Sequence, residues 1–348
     1  MRWAIDLAER RLVPDNAVRM GMRRVIGRRL TTPEARHPER ARAAVAAFVA
    51  DMRQQPIAVA TAAANEQHYE LPPVFFQTVL GPNLKYSSCL WPDGVDDLAA
   101  AEERMLELSC ERAGIVDGME VLDLGCGWGS MSLWIARRFP SCRVMAVSNS
   151  AAQGAFIADR CGAEGIDRVE VTTADMNDFD TDRRFDRVVS IEMFEHIRNW
   201  GRLFERIASW LRPDGRFFQH VFCHRMLAYL YLDRGDSDWM ARHFFTGGIM
   251  PSADLPRCWD GHLGVERQWR VDGRHYSRTL EAWLDRMDAR RTELMPVFEA
   301  TYGAEADRWF ARWRMFFMAC SELFAFRGGS EWWVAHTLLR PMEAPRAV

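Results

Sequence analysis

Val121-Leu122-Asp123-Leu124-Gly125-Cys126-Gly127-Trp128-Gly129 decides the fold. Apolar positions run into Asp-x-Gly-x-Gly-x-Gly, and a helical pattern begins at once with Ser130. A buried parallel strand that turns on glycines into a helix N-terminus cradles a nucleotide. Glycine takes positive φ there and lets a ligand approach the backbone. The flanking sequence repeats this unit. Strand-like segments at Glu120–Leu124, Cys142–Val147, Arg168–Thr172, Asp186–Ile191 and Arg216–Phe222 alternate with helical ones. The helical ones are Ser130–Phe139, Ala152–Cys161 and a segment that aligns Trp200, Leu203, Phe204, Ile207 and Leu211; Pro213-Asp214-Gly215 reads as the turn into the fifth strand. Such alternation predicts right-handed βαβ crossovers and a doubly wound, Rossmann-like α/β sheet.

Away from this core the reading is coarser. Residues 1–115 read as a helical cap over the cofactor, and 116–348 as the catalytic domain. Met22, Val25, Ile26 and Leu30 recur at helical spacing among Arg23, Arg24, Arg28 and Arg29. That basic amphipathic pattern suits a membrane surface or a packed, solvated helix. Leu98 to Arg112 is helical again, ending near Gly114. Residues 223–262 read as a mostly helical, aromatic insertion that covers the active site. A strand at about 264–271, helices over Thr279–Pro296 and Glu305–Phe326 and a last strand at about 331–339 complete the chain.

Composition excludes several classes. A net charge of −3 argues against nucleic-acid binding, and no run of apolar residues is long enough for a membrane span. Early charges (Arg2, Asp6, Glu9) exclude a signal peptide. The eight cysteines are scattered without a C-x-x-C pair, which fits reduced thiols in the cytoplasm and no metal site. The 14 Trp and 20 Phe, many of them after residue 200, make either a thick core or an aromatic-lined pocket.

The glycine loop also limits the nucleotide. Its spacing differs from the dinucleotide pattern G-x-G-x-x-G, no basic residue waits for a phosphate, and no Gly-Lys-Ser/Thr occurs. A cofactor without phosphate, whose amino-acid part reaches backbone groups, suits it: S-adenosylmethionine. Asp123, Gly125, Cys126 and Gly127 form that loop. The second strand ends without the acidic residue that would grip ribose hydroxyls; Ser148, Asn149 and Gln153 stand there instead and can donate and accept. Asp175 and Met176 follow the third strand, placed for an adenine, with a helix N-cap as the other reading of Asp175.

Several segments resemble the cyclopropane-fatty-acid-synthase superfamily of class I methyltransferases. They are Asn65-Glu66-Gln67-His68-Tyr69-Glu70-Leu71-Pro72, Lys85-Tyr86-Ser87, the glycine loop with Trp128, and Glu192-Met193-Phe194-Glu195-His196. Asp238-Trp239-Met240, His243 to Gly248, Met250-Pro251-Ser252 and Trp332 to His336 look more like plant benzylisoquinoline N-methyltransferases of the coclaurine type. The resemblance implies S-adenosylmethionine as cofactor, with Tyr86, Ser87 and Ile191 added to its site. It implies a pocket from Ser88, His220, Trp239, Phe244, Tyr276, Trp313, Phe317 and Trp332.

Two departures bear on the acceptor. Lipid cyclopropane synthases carry Tyr-Ser-Cys, whose Cys helps hold a bicarbonate base; the matching residue here is Ser88, while Glu195, His220 and Tyr276 match the rest of that anion site. Lipid enzymes tend to a small residue where this chain has Glu192, and amine methyltransferases have Glu. The resemblance therefore implies N-methylation of a small amine, with cyclopropanation or C-methylation of unsaturated acyl chains as the alternative. A homodimer is compatible with either. Methyl transfer is an in-line displacement on a neutral nucleophile, so a protonated amine needs a proton acceptor. Glu192 is expected to orient the amine and Glu195 with His196 to take the proton. The competing readings are a helix-start carboxylate for Glu195 and a buried imidazole for His196.

Overall fold

The computed structural model describes residues 2–59, 71–235, 238–259 and 261–342. The segment Thr61–Ala64 and most of the Asn65–Pro72 motif lie outside the described residues. Among the described residues seven strands form one sheet in the order β3-β2-β1-β4-β5-β9-β8. They are β1 (Glu120–Leu124), β2 (Arg143–Ser148), β3 (Val169–Thr173), β4 (Phe185–Ile191), β5 (Leu211–His224), β8 (Leu263–Val271) and β9 (Trp332–Pro341). The first five are parallel, and β9 runs antiparallel to both neighbours. The order reverses between β1 and β4, so their carboxyl ends flank the crevice in which such sheets bind ligands.

The central strands β1 and β2 are buried along most of their length because helices cover both faces. On one face α6 (Leu98–Ala113), α7 (Ser130–Arg138) and α8 (Ala151–Glu164) pack Leu106, Met131, Ile135 and Ile157 against Val121, Val144, Ala146 and Phe218. On the other, α4 (Pro38–Met52) and α9 (Trp200–Trp210) bring Val49, Trp200, Leu203, Phe204 and Ile207 onto Leu122, Val188 and Phe217. Leu211, read as the end of that helical face, is the first residue of β5. The Pro213-Asp214-Gly215 turn is a bulge: Phe185 pairs with Leu211 but Arg187 pairs with Arg216.

Among the described residues, further helices lie outside those that cover the sheet. They are α1 (Arg2–Glu9), α2 (Asp15–Arg29), α3 (Pro33–Arg36), α5 (Pro73–Val79), α11 (Gly273–Ala289), α12 (Arg291–Tyr302) and α13 (Ala306–Ala325). Most of them pack around α13. The span 279–296, read as one helix, is two; the chain breaks at Arg290, and Pro296 lies inside α12, where it supplies no main-chain donor. The basic amphipathic helix is packed. Arg19 pairs with Glu281 and Glu322, Arg23 pairs with Glu322, and Asp15 pairs with Arg314 of α13. Glu9 of α1 accepts from Arg312 and from Trp239 Nε1. The insertion is less helical than expected. Among its described residues it holds one five-residue helix, α10 (Trp239–His243), a 3-10 turn and a two-stranded hairpin, β6 (Tyr229–Leu230) with β7 (Ile249–Met250). Its rings are fixed by packing on α13 rather than by a helical backbone: Phe244 stacks on Phe316 at 4.5 Å.

Candidate active site

The end of β1 forms the floor. Gly125, Gly127 and Gly129 all have positive φ (77°, 54° and 82°). A Cβ on Gly125 would lie 2.6 Å from Met193, whereas one on Gly127 would meet nothing within 4 Å. The loop thus packs on the β4 end and keeps its middle open. Asp123 is buried and accepts from Ser132 Oγ at 2.6 Å; burial pushes its carboxyl up to about 6. At the end of β2, Ser148 Oγ donates to Gln153 Oε1 at 2.7 Å, and Gln153 Nε2 has no partner among the described residues. That amide donor lines a cavity of about 1030 Å³. Tyr86, Ser87, Asp123, Gly125, Cys126, Gly127, Ser148, Asn149, Met176 and Ile191 line it too. An unpaired buried donor beside an open glycine loop fits the ribose and amino-acid parts of S-adenosylmethionine. Asp175 is not in the wall. Its Oδ1 accepts from Asn177 N and Nδ2 and closes a local turn; no helix follows it before β4, so the residue is a turn former and not the helix N-cap of the other reading.

The end of β4 supplies the chemistry. Glu192 has φ +49°, a left-handed conformation that costs a non-glycine residue about 1–2 kcal/mol. Such strain persists where the surroundings over-determine it, and here they do. The Glu192 side chain is 7% exposed, and its carboxylate receives three donors. Ser88 N–H donates to Oε1 at 2.9 Å, His220 Nε2 lies 3.1 Å from the same oxygen, and Tyr276 O–H donates to Oε2 at 2.5 Å. Burial pushes the Glu192 carboxyl up; Lys85, the Ser88 and Tyr276 donors and His196 oppose that rise.

Glu195 and His196 diverge. They sit in a 3-10 turn (Phe194–His196), where successive side chains point about a third of a turn apart. His196 lines the cavity and stays uncharged, since burial pushes it down to about 4. Glu195 is fully buried outside the lining. Its Oε1 accepts from Phe222 N–H at 2.7 Å, and its Oε2 has no partner among the described residues. Burial and the neighbouring Glu192 charge push its carboxyl well above the usual range. Of the two carboxyls, Glu192 has more donors, and Glu195 is pushed further towards its acid form. The expected Glu195–His196 unit is therefore not assembled at the cavity.

The anion-site residues are assembled, around a different group. His220 and Tyr276 converge on Glu192 rather than on a position beside Glu195, and Ser88 contributes its main-chain N–H while its hydroxyl turns to Cys89 O. Trp239 and Trp332 line the cavity as expected. Phe244, Trp313 and Phe317 do not; they are core. On α13 Met315, Phe316, Ala319, Cys320, Leu323 and Phe324 line the cavity, and Trp313 and Phe317, at the edge of that helical face, pack into the core.

The sequence reading missed Lys85. It is 2% exposed, lines the cavity, and donates to Ser87 Oγ and Ser88 O. Its only cue was its place in Lys85-Tyr86-Ser87. Glu102 of α6 clamps the same loop through Gly81, Asn83 and Lys85 N–H. Also missed were Phe222, Tyr231, Phe245 and Trp283, which line the aromatic half of the cavity, and the part of its wall formed by α1 and α2.

A family model described as mycolic acid cyclopropane synthetase matches residues 58–330. An (S)-coclaurine N-methyltransferase of Thalictrum flavum subsp. glaucum is 35% identical over 334 residues, 94% of this chain and 92% of that one. A cyclopropane-fatty-acyl-phospholipid synthase of Escherichia coli (strain K12) is 30% identical over 276 residues, 77% of this chain and 66% of that one. The crystal structure of a coclaurine N-methyltransferase bound to N-methylheliamine and SAH superposes with a TM-score of 0.92 at 34% identity, covering 97% of this chain and 98% of that one.

Proposed function

The chain belongs to the mycolic acid cyclopropane synthetase family, and from that premise we infer that it is an S-adenosylmethionine-dependent N-methyltransferase for a small amine with an apolar or aromatic body. The N-methyltransferase relatives, similar along almost their whole length, support the reaction class. When bound, S-adenosylmethionine supplies an electrophilic methyl group on sulfur. The glycine loop, Tyr86, Ser87, Ser148, Asn149, Gln153, Met176 and Ile191 would hold it. The eight cysteines, all without a disulfide, support a reducing, cytoplasmic setting.

One observation carries the choice of an amine: the carboxylate of Glu192 occupies the focus of the Ser88, His220 and Tyr276 donors. A fixed negative charge in an apolar cavity draws an ammonium group and gains nothing from an alkene. We assign Glu192 as the proton acceptor, because burial raises its basicity towards the working range of a general base. Neutral His196 accepts an N–H hydrogen bond and aims the amine lone pair. Glu195, bonded to the β5 main chain, positions the turn that carries both. The rings of Phe222, Phe316, Phe324 and Trp283 face the acceptor's body. Each well-placed ring stabilises a cationic methylated product by about 0.5–2 kcal/mol.

The test is a panel of aromatic and aliphatic amines incubated with methyl-labelled S-adenosylmethionine, followed by mass spectrometry. Label on nitrogen is expected; no labelled amine across the panel would reject the reading.

A further inference from the structure

A row of side chains crosses three strands on the sheet face that carries α6. His220 on β5 stands directly opposite His336 on β9, and His336 stands opposite Trp269 on β8. Residues directly opposite in antiparallel strands share a face. Both histidines are fully buried. Arg112, in the last turn of α6, brings Nη1 to 2.9 Å from His336 Nδ1. His336 Nε2 lies 3.0 Å from His220 Nδ1, and His220 Nε2 lies 3.1 Å from Glu192 Oε1. The Arg112 guanidinium also lies over the Trp269 ring, 5.1 Å from its centre.

Chemistry fixes the direction of this chain of hydrogen bonds. Arginine has donors and no acceptor, and it keeps its charge. His336 Nδ1 must therefore accept, which leaves its proton on Nε2. That proton is donated to His220 Nδ1, so the proton of His220 sits on Nε2 and is donated to Glu192. A second proton on either ring would set two donors face to face. Burial, with Arg112 and Lys85 near, also holds both imidazoles well below their usual range.

We propose that Arg112 and His336 are positioning residues for the methyl transfer, which lock the tautomer of His220 so that it always presents a donor to Glu192. The proposal rests on the assignment of Glu192 as proton acceptor. Because Arg112 does not release a proton, the chain is a lock and not an exit path. Without it both rings can change tautomer together. His220 would then turn a lone pair towards Glu192 Oε1, which disfavours the carboxylate and favours the acid, and an acid cannot take the substrate's proton. The other groups facing Glu192 are Lys85, Ser88 and Cys89 from the preceding loop, Tyr276 of α11, Cys320 of α13, and Glu195 and His196 beyond β4. The lone pair of His220 Nδ1 is taken by His336 Nε2, so the lock is set from that side.

The test combines kinetics and nitrogen NMR on the full chain. Arg112→Met should move the acid limb of the kcat profile up by about one unit, which lowers kcat about tenfold at pH values on that limb, a tenfold change in the ionisation of Glu192. KM and cofactor affinity should hold, and Arg112→Lys, also an obligate donor, should restore the profile. In histidine-labelled native protein, His220 and His336 should both show the Nε2–H tautomer, and Arg112→Met should show a mixture. An Nδ1–H tautomer in the native protein overturns the proposal, and so does an unshifted pH profile in Arg112→Met. If the tautomers behave as expected while Glu192→Gln also leaves the acid limb unmoved, Glu192 is not the proton acceptor, and the proposal falls with that assignment.

Discussion

Replacing Glu192 by glutamine keeps the shape of the side chain and removes its charge. Two donors meet at Oε1, from Ser88 and His220, and one meets Oε2, from Tyr276. The amide oxygen can retain the first two. Its NH₂ must then face Tyr276, whose hydroxyl can rotate to accept. One charge-assisted bond is lost, about 1.5–3 kcal/mol, so the fold survives. The catalytic effect is larger and depends on pH. An alkylamine with a pKa of about 10.4 is neutral in roughly one molecule in 2,500 at neutral pH, a deficit of about 4.6 kcal/mol. The native carboxylate removes the proton inside the site, whereas the variant must select the rare neutral amine. We expect kcat/KM to fall by about 10²–10⁴-fold at neutral pH, the range of general-base catalysis. That deficit should shrink about tenfold per pH unit towards the amine's own pKa. The assay is initial rate with labelled cofactor from neutral pH to strongly alkaline pH, with calorimetric cofactor affinity as a control for folding. A deficit that stays constant across that range, or near-native activity at neutral pH, would refute the reasoning.

Other perturbations separate binding from stability. Gly127→Ala should cost about 1–2 kcal/mol through its positive φ, because a Cβ there meets open space. It should nonetheless weaken cofactor binding by more than that cost, measured by calorimetry against a melting curve; unchanged affinity would contradict the loop's role. Phe317→Ala should cost about 3–5 kcal/mol on denaturation as a fully buried core residue, with little change in KM. Phe316→Ala, in the cavity wall, should raise KM for an aromatic amine. Burial pushes Glu102 up to about 7 against three N–H donors. A raised carboxyl pKa stabilises the fold fully below its usual value, and that stability is lost as pH rises through about 7. Stability of the native protein should fall across that window, and Glu102→Gln should abolish this component of the pH dependence in chemical denaturation.

The glycine loop and five parallel strands were legible because each signal is local: apolar runs, glycines that need positive φ, and alternation with helices. Glu192, Tyr276 and His220 were singled out through resemblance, but not what they bond. That depends on register between β5 and β9 and on the left-handed turn at Glu192, neither of which is a local pattern. The same holds for Phe244, Trp313 and Phe317. A ring one position along α13 changes from core to cavity wall, and aromatic composition does not record the rotation of a helix. Leu211 and the 223–262 insertion show a further limit. Tertiary packing there overrides helical spacing, placing Leu211 in a strand and the insertion's rings on irregular backbone. Lys85 had no pattern of its own, since a buried lysine differs from an exposed one only in what surrounds it.

The central claim is that this cavity methylates nitrogen. The direct measurement is a competition in which the protein meets methyl-labelled S-adenosylmethionine, an aromatic secondary amine and vesicles of unsaturated phospholipid together. Label recovered on the amine nitrogen, and lost in Glu192→Gln at neutral pH, is the predicted result. Label recovered in the acyl chains, with the amine untouched, would contradict it.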